Sequence, residues 1–431
     1  MKKAAFLMQE MNMARIMVQL FLFLLFLLLV DFYLFQGLKT VIAPIGPVWR
    51  KVLSIGFWAL SAITMALVLA TPYLRAQTYS PAWRIYPFAI LIGLVFGKLL
   101  AVPFLLLDDI RRGAQWVLNF FGPAVNRSTQ STTENGDVIS RSAFLSWIGL
   151  GVGASLFGTL MYGFRNQYNY KIRRLKLSFK NVPQAFRGFR IVQISDIHSG
   201  SFLNSAEVLK GVEAINGLNP DLILFTGDLV NEHAGEMEPF ANIFSRLQAP
   251  FGVYSTLGNH DYGDYSQWES ARAKQENFDK LRKIHADMGW KLLMDESVFI
   301  EKDGEKIGLI GVQNISGKSR FHSYGNLEKA YRNTASAPLK ILMSHDPSHW
   351  DLEVRKGYPD IDLTLSGHTH GMQFGVEVPW LRWSPVQWMY KQWAGLYEEG
   401  GQKLYVNRGF GFLGYPGRVG ILPEITLLEL G

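Results

Sequence analysis

The chain has 431 residues, no cysteine, a formal net charge of +7 and 48% hydrophobic residues. The lack of cysteine excludes disulfide bonds and thiolate metal sites, but it does not fix the compartment, because such a chain suits either redox environment. The positive charge is modest for this length, and the basic residues cluster beside apolar segments. This pattern favours a membrane surface over nucleic acid as a partner, and the sequence carries no motif typical of RNA or DNA binding.

The first part of the chain, residues 1–164, is predicted to be an all-α transmembrane bundle. A helix needs about 20 apolar residues to cross a bilayer, and four stretches reach that length. They run over about residues 16–38, 52–74, 85–107 and 144–164. Asp31 lies near the end of the first stretch, where we expect it to reach the headgroups. Small residues from Gly149 to Gly158 are expected to let the fourth helix pack closely on a neighbour.

Two features give opposite orientations for this integral membrane protein, which we expect in a bacterial inner membrane. The distribution of Lys and Arg among the loops favours a cytoplasmic C-terminal domain. Residues 140–145 (SRSAFL) instead resemble a twin-arginine export signal with one arginine missing, which would place that domain outside the cytoplasm. The side of the membrane therefore stays open. Between the third and fourth spans, residues 126–137 are polar and are predicted to form a flexible loop.

A basic and aromatic segment, residues 165–186, follows the last span. We predict that it is a juxtamembrane linker that holds the next domain against lipid headgroups. The alternation in KIRRLKLSF also fits an edge strand, and the two interpretations are compatible.

The remainder, residues 187–431, is predicted to be a layered α/β domain, because strand-like runs alternate with helical segments. The strand-like runs that carry the argument are RIVQIS, DLILFT, GVYSTL, LKILM and DLTLS. Helices are predicted over residues 205–217, 236–247 and 270–288, where polar and apolar residues follow a helical period.

Each of these five runs is followed directly by a short polar motif. The motifs are, in chain order, Asp196-Ile197-His198, Gly227-Asp228, Gly258-Asn259-His260-Asp261, Ser344-His345-Asp346 and Gly367-His368-Thr369-His370. In an open α/β sheet, ligand sites gather beyond the carboxyl ends of the strands. Five loops at one edge would bring together carboxylates, an amide and imidazoles, a mixture that divalent transition metals bind. On extended backbone, residues i and i+2 of the first and last motifs would face the same way.

The five motifs in this order resemble the calcineurin-like metallophosphoesterase superfamily, over roughly residues 186–431. The later stretches GHTHGMQFG, LYVNRGFGFLGYPGRVG and PEITLLEL are similar to its membrane-associated branch, which includes transmembrane proteins with a metallophosphoesterase domain and similar bacterial phosphodiesterases. This resemblance implies two divalent cations that clamp phosphoryl oxygens and lower the pKa of a shared water, which attacks phosphorus as hydroxide. The donor types suit Mn, Fe or Zn better than Mg.

The resemblance also implies the metal ligands, position by position. Asp228 stands at the position that bridges the two metals in the family. The other ligands implied in this way are Asp196, His198 and His370 for one metal, and Asn259, His345 and His368 for the other.

The same resemblance gives His260 a catalytic role. His260 adjoins Asn259 and does not easily share its direction, so we do not expect it to be a ligand. The family implies that it protonates the leaving oxygen or steadies the transition state. Asp261 is expected to orient His260, and Asp346 to orient His345.

Other positions leave alternatives open. The aromatic segment from Trp380 to Trp393 fits either the membrane interface or a cover over the domain core. Arg408 follows a strand and is a candidate for binding phosphate bidentately. Asn231 stands where relatives often carry an acid. Met372 replaces a frequent glycine and would either narrow the pocket or change its flexibility.

These features lead to three hypotheses of function. The leading one is a membrane-anchored, metal-dependent phosphodiesterase or pyrophosphatase that acts on a lipid-linked substrate. Relatives of this branch include enzymes that cleave UDP-2,3-diacylglucosamine, which makes a sugar-nucleotide lipid a candidate. The alternatives are a general phosphodiesterase or phosphatase merely located at the membrane, and a non-catalytic transporter or receptor with a regulatory metal domain. Few ionisable residues lie inside the spans, which counts against transport.

Overall fold

The computed structural model describes residues 2–74, 81–121 and 141–431. The chain divides into two compact units, Met1–Met161 and Tyr162–Gly431. The long helices of the first unit are α1 (Lys2–Ile42), α2 (Pro47–Leu74), α3 (Pro81–Phe121) and α4 (Arg141–Gly163). Their apolar stretches long enough to cross a membrane are Met17–Ile42, Pro47–Thr71, Ile85–Leu118 and Ser142–Asn166. The four predicted spans are thus confirmed, while the predicted loop over residues 126–137 lies outside the described residues.

A buried ion pair joins α1 to α3 inside the apolar helices. The Asp31 carboxylate lies 2.7 Å from Nζ of Lys98, which also donates a hydrogen bond of 3.5 Å to the Thr64 hydroxyl of α2. Asp31 is fully buried, so the expectation that it reaches the headgroups is wrong. A carboxylate among apolar helices is costly unless it is paired, and Lys98 supplies the opposite charge.

Small residues bring α4 close to α3. A side chain at Gly153 would collide with the carbonyl of Gly97, and one at Gly149 would meet the carbonyl of Ala101. The two backbones can approach only because these positions lack a Cβ. The close packing predicted for the fourth helix is therefore present at these two glycines.

The second unit is built on two six-stranded sheets and a separate hairpin. The strands are β1 (Lys171–Leu177), β2 (Arg190–Ile194), β3 (Leu222–Phe225), β4 (Val253–Ser255), β5 (Trp290–Leu292), β6 (Glu296–Lys302), β7 (Glu305–Gly311), β8 (Lys340–Met343), β9 (Leu363–Ser366), β10 (Val376–Val378), β11 (Leu381–Trp383), β12 (Gly395–Glu399), β13 (Gln402–Val406) and β14 (Glu424–Leu430). The first sheet has the order β1-β14-β2-β3-β4-β5, and the second has the order β12-β13-β9-β8-β7-β6. Strands β10 and β11 form the hairpin.

The five predicted strands that precede the polar motifs are all present, as β2, β3, β4, β8 and β9. The first three are parallel neighbours in one sheet, and the last two are parallel neighbours in the other. The motifs therefore meet at the edge of two sheets, not of one open sheet. The facing sides of both sheets share an apolar core that includes Leu224, Leu309 and Leu365.

Helices cover the outer faces of the two sheets. They are α5 (Ser205–Asn216), α6 (Ala241–Phe244), α7 (Ala271–Asp287), α8 (Leu327–Tyr331) and α9 (Arg355–Gly357). Helices α5 and α7 pack on the first sheet and α8 on the second. This arrangement confirms the layered α/β class that the sequence predicts.

The helix predicted over residues 236–247 is replaced by a 3-10 turn and the single turn of α6. Pro239 lacks an N–H and therefore interrupts helical hydrogen bonding. The Glu236 carboxylate also turns back and accepts hydrogen bonds from the backbone N–H groups of Asn231 and His233. The start of the segment is thereby held as a tight turn against residues 231–233.

Strand β1 lies at the edge of the first sheet and pairs in parallel with β14. The edge-strand interpretation of the basic segment is therefore confirmed. Its predicted attraction to headgroups stays a prediction.

Candidate metal centre

The candidate ligands leave their strands in a left-handed backbone conformation. The φ angle is +53° at Asp196, +48° at His198, +61° at Asp228, +70° at His368 and +51° at His370. Such angles are uncommon for residues with a Cβ and cost on the order of 1–3 kcal/mol each. The expectation of extended backbone in the first and last motifs is therefore wrong. The direction of these side chains is set instead by a sharp backbone turn directly after each strand.

Two motif glycines allow the loops to come this close. A Cβ at Gly367 would collide with the carboxylate of Asp196, and one at Gly258 would collide with the carboxylate of Asp228. The backbone N–H of His368 also donates to both oxygens of Asp196 at 3.0 Å. The first and fifth motifs are therefore fastened to each other at the ligand positions.

One group of side chains consists of Asp196, His198 and His370, all buried, with ligand atoms within 4.8 Å of one another. Nε2 of His370 lies 3.2 Å from Oδ1 of Asp196. Within the described part of the chain, neither ring nitrogen of His198 has a hydrogen-bond partner. Buried polar atoms are rarely left unsatisfied, so the ring fits a position against a bound cation.

A second group consists of Asp228, His345 and His368. Nε2 of His345 lies 3.0 Å from Oδ2 of Asp228 and 3.2 Å from Nδ1 of His368. Such separations suit neighbouring ligands around an ion held at about 2.1 Å. Nδ1 of His345 faces the Thr226 carbonyl at 2.8 Å, which places the proton on Nδ1 and leaves Nε2 free to bind a metal.

The Asp228 carboxylate lies between the two groups. Its Oδ2 is 3.6 Å from Nε2 of His198 in the first group and 3.0 Å from Nε2 of His345 in the second. Its Oδ1 accepts a hydrogen bond of 2.9 Å from the backbone N–H of His260. Burial opposes ionisation of Asp228, but the neighbouring imidazoles of His345 and His260 outweigh it and hold the pKa of this carboxyl well below its usual range.

Asn259 lines the same cavity as both groups. Its amide nitrogen donates to the Tyr265 hydroxyl at 3.0 Å, which fixes the amide orientation. Its Oδ1 is buried and has no hydrogen-bond partner among the described residues. An oriented, unpartnered carbonyl oxygen is a suitable metal ligand, so the complete donor set fits two divalent ions.

Asp261 does not orient His260, and that prediction is wrong. Its carboxylate accepts hydrogen bonds of 2.8–2.9 Å from the backbone N–H groups of Asp228, Leu229 and Gly258. These bonds tie the second motif to the third. Asp261 thus fixes the backbone that carries Asp228.

His260 is held by two neighbours that the sequence analysis did not identify. Its Nδ1 lies 2.7 Å from the Asn231 carbonyl and 3.4 Å from the Glu232 carboxylate. Burial lowers its pKa, but the Asp228 carboxylate and the hydrogen bonds to Glu232 and Asn231 outweigh burial and raise the pKa of His260 to about 9. Glu232 lies in a loop of mixed composition, so no pattern in the sequence identifies it as a partner of His260.

Asp346 faces His368 and not His345, contrary to the prediction. Its Oδ2 is 3.7 Å from Nε2 of His368 and accepts a hydrogen bond of 3.4 Å from the Tyr390 hydroxyl. That hydroxyl lies 2.9 Å from Nε2 of His368. Tyr390 and Asp346 therefore occupy one side of the ring, and Nδ1 remains directed at the metal position.

Two arginines lie behind the site, but neither is placed to bind substrate. Arg408 forms ion pairs with Glu424 at 2.5 Å and Glu377 at 2.6 Å and does not line the cavity beside the candidate ligands, so its predicted role in binding the phosphate there is wrong. Arg418 is fully buried and donates to the backbone carbonyls of Arg408 at 2.7 Å and His370 at 3.2 Å. These bonds brace the loop that carries His370.

The two groups line a cavity of about 220 Å³. Its other walls include the apolar side chains Phe321, Met372, Val386, Met389 and Leu413. Met372 stands in this wall, and its predicted effect on the width or flexibility of the pocket stays a prediction. The interpretation of the aromatic segment as a cover over the core holds for part of it, and its contact with the membrane interface stays a prediction. Tyr390 and Trp393 are buried in the domain, whereas Trp380 and Trp388 are 84% and 75% exposed.

Comparison with known proteins agrees with this geometry. Residues 189–372 match the family model described as calcineurin-like phosphoesterase, and residues 14–167 match a probable calcineurin-like phosphoesterase transmembrane domain. A Bacillus subtilis protein named uncharacterized metallophosphoesterase YkuE is 30% identical over 260 residues, which cover 58% of this chain and 81% of that protein. The chain belongs to the calcineurin-like phosphoesterase family. The family predicted from the five motifs is therefore confirmed.

Two other proteins are similar to the chain. The zebrafish (Danio rerio) transmembrane protein with metallophosphoesterase domain is 28% identical over 269 residues, which cover 60% of this chain and 57% of that protein. A Chlamydia muridarum protein named UDP-2,3-diacylglucosamine pyrophosphatase LpxG is 27% identical over 281 residues, which cover 56% of this chain and 83% of that protein. The chain thus spans little more than half the length of the zebrafish relative.

Proposed function

We propose that this membrane protein is a dinuclear-metal phosphoesterase that hydrolyses a phosphodiester or pyrophosphate bond in a lipid-linked substrate. The observation that carries the proposal is the position of Asp228, whose Oδ2 lies within 3.0–3.6 Å of an imidazole from each ligand group. One carboxylate between two metal-binding groups supports two ions at short separation, the arrangement used to stabilise both the attacking and the leaving oxygen of a phosphate ester.

The residues divide into ligands and a proton donor. Asp196, His198 and His370 would hold one ion, Asn259, His345 and His368 the other, and Asp228 both. When bound, the ions would polarise the phosphoryl oxygens and lower the pKa of water. Four imidazoles among these donors favour Mn, Fe or Zn over Mg.

His260 would act on the leaving oxygen. Its Nδ1 is occupied by the Asn231 carbonyl and the Glu232 carboxylate, so Nε2 is the nitrogen that can transfer a proton. Glu232 also favours the charged imidazole, which is the form that donates. The ring lines the cavity together with the candidate ligands.

The lipid-linked substrate is supported by the wall of the cavity and by the spans. Apolar side chains such as Met372, Met389 and Leu413 face the same space as the metal-binding groups. A water-soluble phosphoester gains little from such a wall, whereas an acyl or prenyl chain buries apolar surface there. The name of the Chlamydia relative makes UDP-2,3-diacylglucosamine the first substrate to test.

The test is a comparison of two substrates with the full-length protein in nanodiscs supplied with Mn²⁺. We expect kcat/KM for UDP-2,3-diacylglucosamine to exceed that for bis(p-nitrophenyl) phosphate. Met389 is exposed in the free protein. Met389→Ser should lower the first value by roughly tenfold or more, because burial of a Met side chain by a lipid chain contributes about 1.5–3 kcal/mol, and should change the second much less.

The outcomes separate the two parts of the proposal. If the protein hydrolyses only the small ester, or if Met389→Ser lowers kcat/KM for both substrates equally, the protein is a general phosphodiesterase and the proposed lipid specificity is contradicted. No hydrolysis of either substrate by protein with a full complement of metal would contradict the enzymatic function itself.

A further inference from the structure

A second cavity of the catalytic unit, of about 340 Å³, shares no lining residue with the metal cavity. It lies between β1, the hairpin β10–β11 and β12. Its charged lining residues are Lys171, Arg173, Arg174, Glu377, Arg382 and Arg408. A concave surface lined by so many cations focuses a positive potential and favours an anionic ligand.

The acidic groups at this cavity do not balance its cations. Arg408 pairs with Glu424 at 2.5 Å and Glu377 at 2.6 Å, and Arg173 pairs with Glu377 at 2.5 Å. These two carboxylates face five basic side chains, which leaves a net charge of +3. Arg408 is almost fully buried, yet its Nε has no hydrogen-bond partner among the described residues. A buried, unsatisfied guanidinium N–H indicates a missing acceptor.

Arg382 presents a fixed guanidinium to the same space. It donates to the Ala394 carbonyl at 2.6 Å and lies 5.5 Å from the ring centres of Trp393 and Tyr397. A Cβ at Gly395 would lie only 2.7 Å from its Nη1. The absence of a side chain at Gly395 therefore keeps open the space directly against this cation. An arginine held in this way loses little entropy when it binds an oxyanion.

The hairpin that carries Glu377 and Arg382 also exposes an apolar tip. These two residues face each other across the hairpin. Beyond them, Val378, Trp380 and Leu381 are exposed. Tryptophan and aliphatic side chains beside a cluster of Arg and Lys are typical of protein segments at the membrane interface.

We propose that this cavity is a binding site for the phosphate of an anionic phospholipid, with the hairpin tip among the acyl chains. The basic side chains of the cavity would bind the lipid phosphate, and the apolar hairpin tip would contact the acyl chains. A soluble anion has no acyl chains and would leave the tip exposed to water. The chain itself enters a bilayer through four spans, and Lys171 follows Asn166, the last residue of the fourth span, by five residues. The cavity shares no residue with the metal centre, so this proposal can be tested independently of the proposed hydrolysis.

The test measures hydrogen exchange of the full-length protein in phosphatidylcholine nanodiscs with increasing phosphatidylglycerol. Phosphatidylglycerol should protect the amides of residues 171–175 and 376–383. Arg382→Ala should shift the midpoint of this protection to about tenfold more phosphatidylglycerol, because one charge-assisted hydrogen bond is lost. Arg282→Ala, an exposed arginine on α7 away from the cavity, is the matched control and should leave the midpoint unchanged.

Arg382→Lys is a second variant that keeps every charge but lacks the planar guanidinium that the Ala394 carbonyl holds. It should weaken the protection as Arg382→Ala does. Equal protection by phosphatidylcholine alone, or the same midpoint in the wild type and both cavity variants, would overturn the proposal. Equal protection by inorganic phosphate in neutral nanodiscs would also overturn it and would assign the site to a soluble anion.

Discussion

At the scale of single residues, the metal centre depends on which ring nitrogen each histidine presents. Nδ1 of His345 is hydrogen-bonded to the Thr226 carbonyl, so Nε2 is the nitrogen left for a metal. In His368 the roles are reversed, because Nε2 contacts the Tyr390 hydroxyl and Asp346 and Nδ1 is left for the metal. The two rings therefore approach each other with opposite nitrogens, 3.2 Å apart. Partners of this kind orient a ligand and raise its basicity, and their loss usually weakens metal binding.

Tyr390→Phe tests this arrangement. Removal of the hydroxyl should weaken binding of the second metal by about 10–100-fold, because His368 loses a partner that fixes its orientation. Mn²⁺ titration by calorimetry of chelator-treated protein measures the change. Tyr331→Phe is the control, since that hydroxyl bonds only to Asp360 among the described residues, at the surface. Unchanged affinity in Tyr390→Phe would show that Asp346 alone orients the ring.

His260→Ala tests the proposed proton donor. Metal content should remain, and kcat should fall by about 10²–10⁴-fold, the usual contribution of general acid catalysis. The fall should be smaller for a p-nitrophenyl ester, because its leaving group needs little protonation. His322→Ala, at an exposed histidine that does not line the cavity, serves as the control. Equal losses on good and poor leaving groups would instead assign His260 to charge stabilisation.

Sequence reasoning identified the residues that meet but not the hydrogen bonds between them. The motif types and their positions after strands are enough to expect a shared site. The partners of Asp261 and Asp346 could not be predicted, because they depend on left-handed turns that place each side chain in a direction no spacing rule gives. Glu232 and Tyr390 were missed for the same reason, since both reach the site from separate loops.

At the scale of elements, the sequence predicts the short buried strands but not which strands lie next to each other in a sheet. The run of β3 is fully buried and apolar, and that of β9 is fully buried with leucines at alternate positions, patterns that the sequence shows directly. Their division between two sheets depends on contacts between distant segments. The helix expected over residues 236–247 does not form because Pro239, within that segment, interrupts helical hydrogen bonding.

Helix α7 carries a buried histidine that should make stability depend on pH. His285 is fully buried with its Nδ1 3.0 Å from the Ser255 hydroxyl, and burial lowers the pKa of its imidazole to about 3. The unfolded chain takes up this proton near pH 6.5, whereas the folded chain does not. Stability is therefore full above pH 6.5 and declines as pH falls, by about 2 kcal/mol at pH 5.

His285→Gln should reduce this decline, because glutamine keeps a polar group for Ser255 and does not titrate. The measurement is the change in Tm of the full-length protein in detergent between pH 7 and pH 5. A smaller change in the variant than in the wild type is expected. The same change in both would show that His285 takes up a proton in the folded state.

At the scale of the whole molecule, one chain combines four apolar helices with a phosphoesterase unit whose ligands come from two sheets. Motifs on β2, β3 and β4 supply Asp196, His198, Asp228 and Asn259, and motifs on β8 and β9 supply His345, His368 and His370. Each metal position needs ligands from both sheets, so metal binding should fasten the sheets together. Removal of metal with a chelator should therefore lower Tm, since an ion that binds only the folded state stabilises it.

The bridging position of Asp228 between two metal ions is tested most directly by the metal content of the wild type and of Asp228→Asn, measured by mass spectrometry. Hydrolysis of bis(p-nitrophenyl) phosphate is measured on the same samples. The wild type should hold about two ions per chain. Asp228→Asn should lose most of both ions and its activity, because its carboxylate serves both groups. Asp264→Asn, an acid whose carboxylate pairs with Lys274, should match the wild type. About two ions per chain in Asp228→Asn, or a single ion in a fully active wild type, would contradict the bridged dinuclear centre.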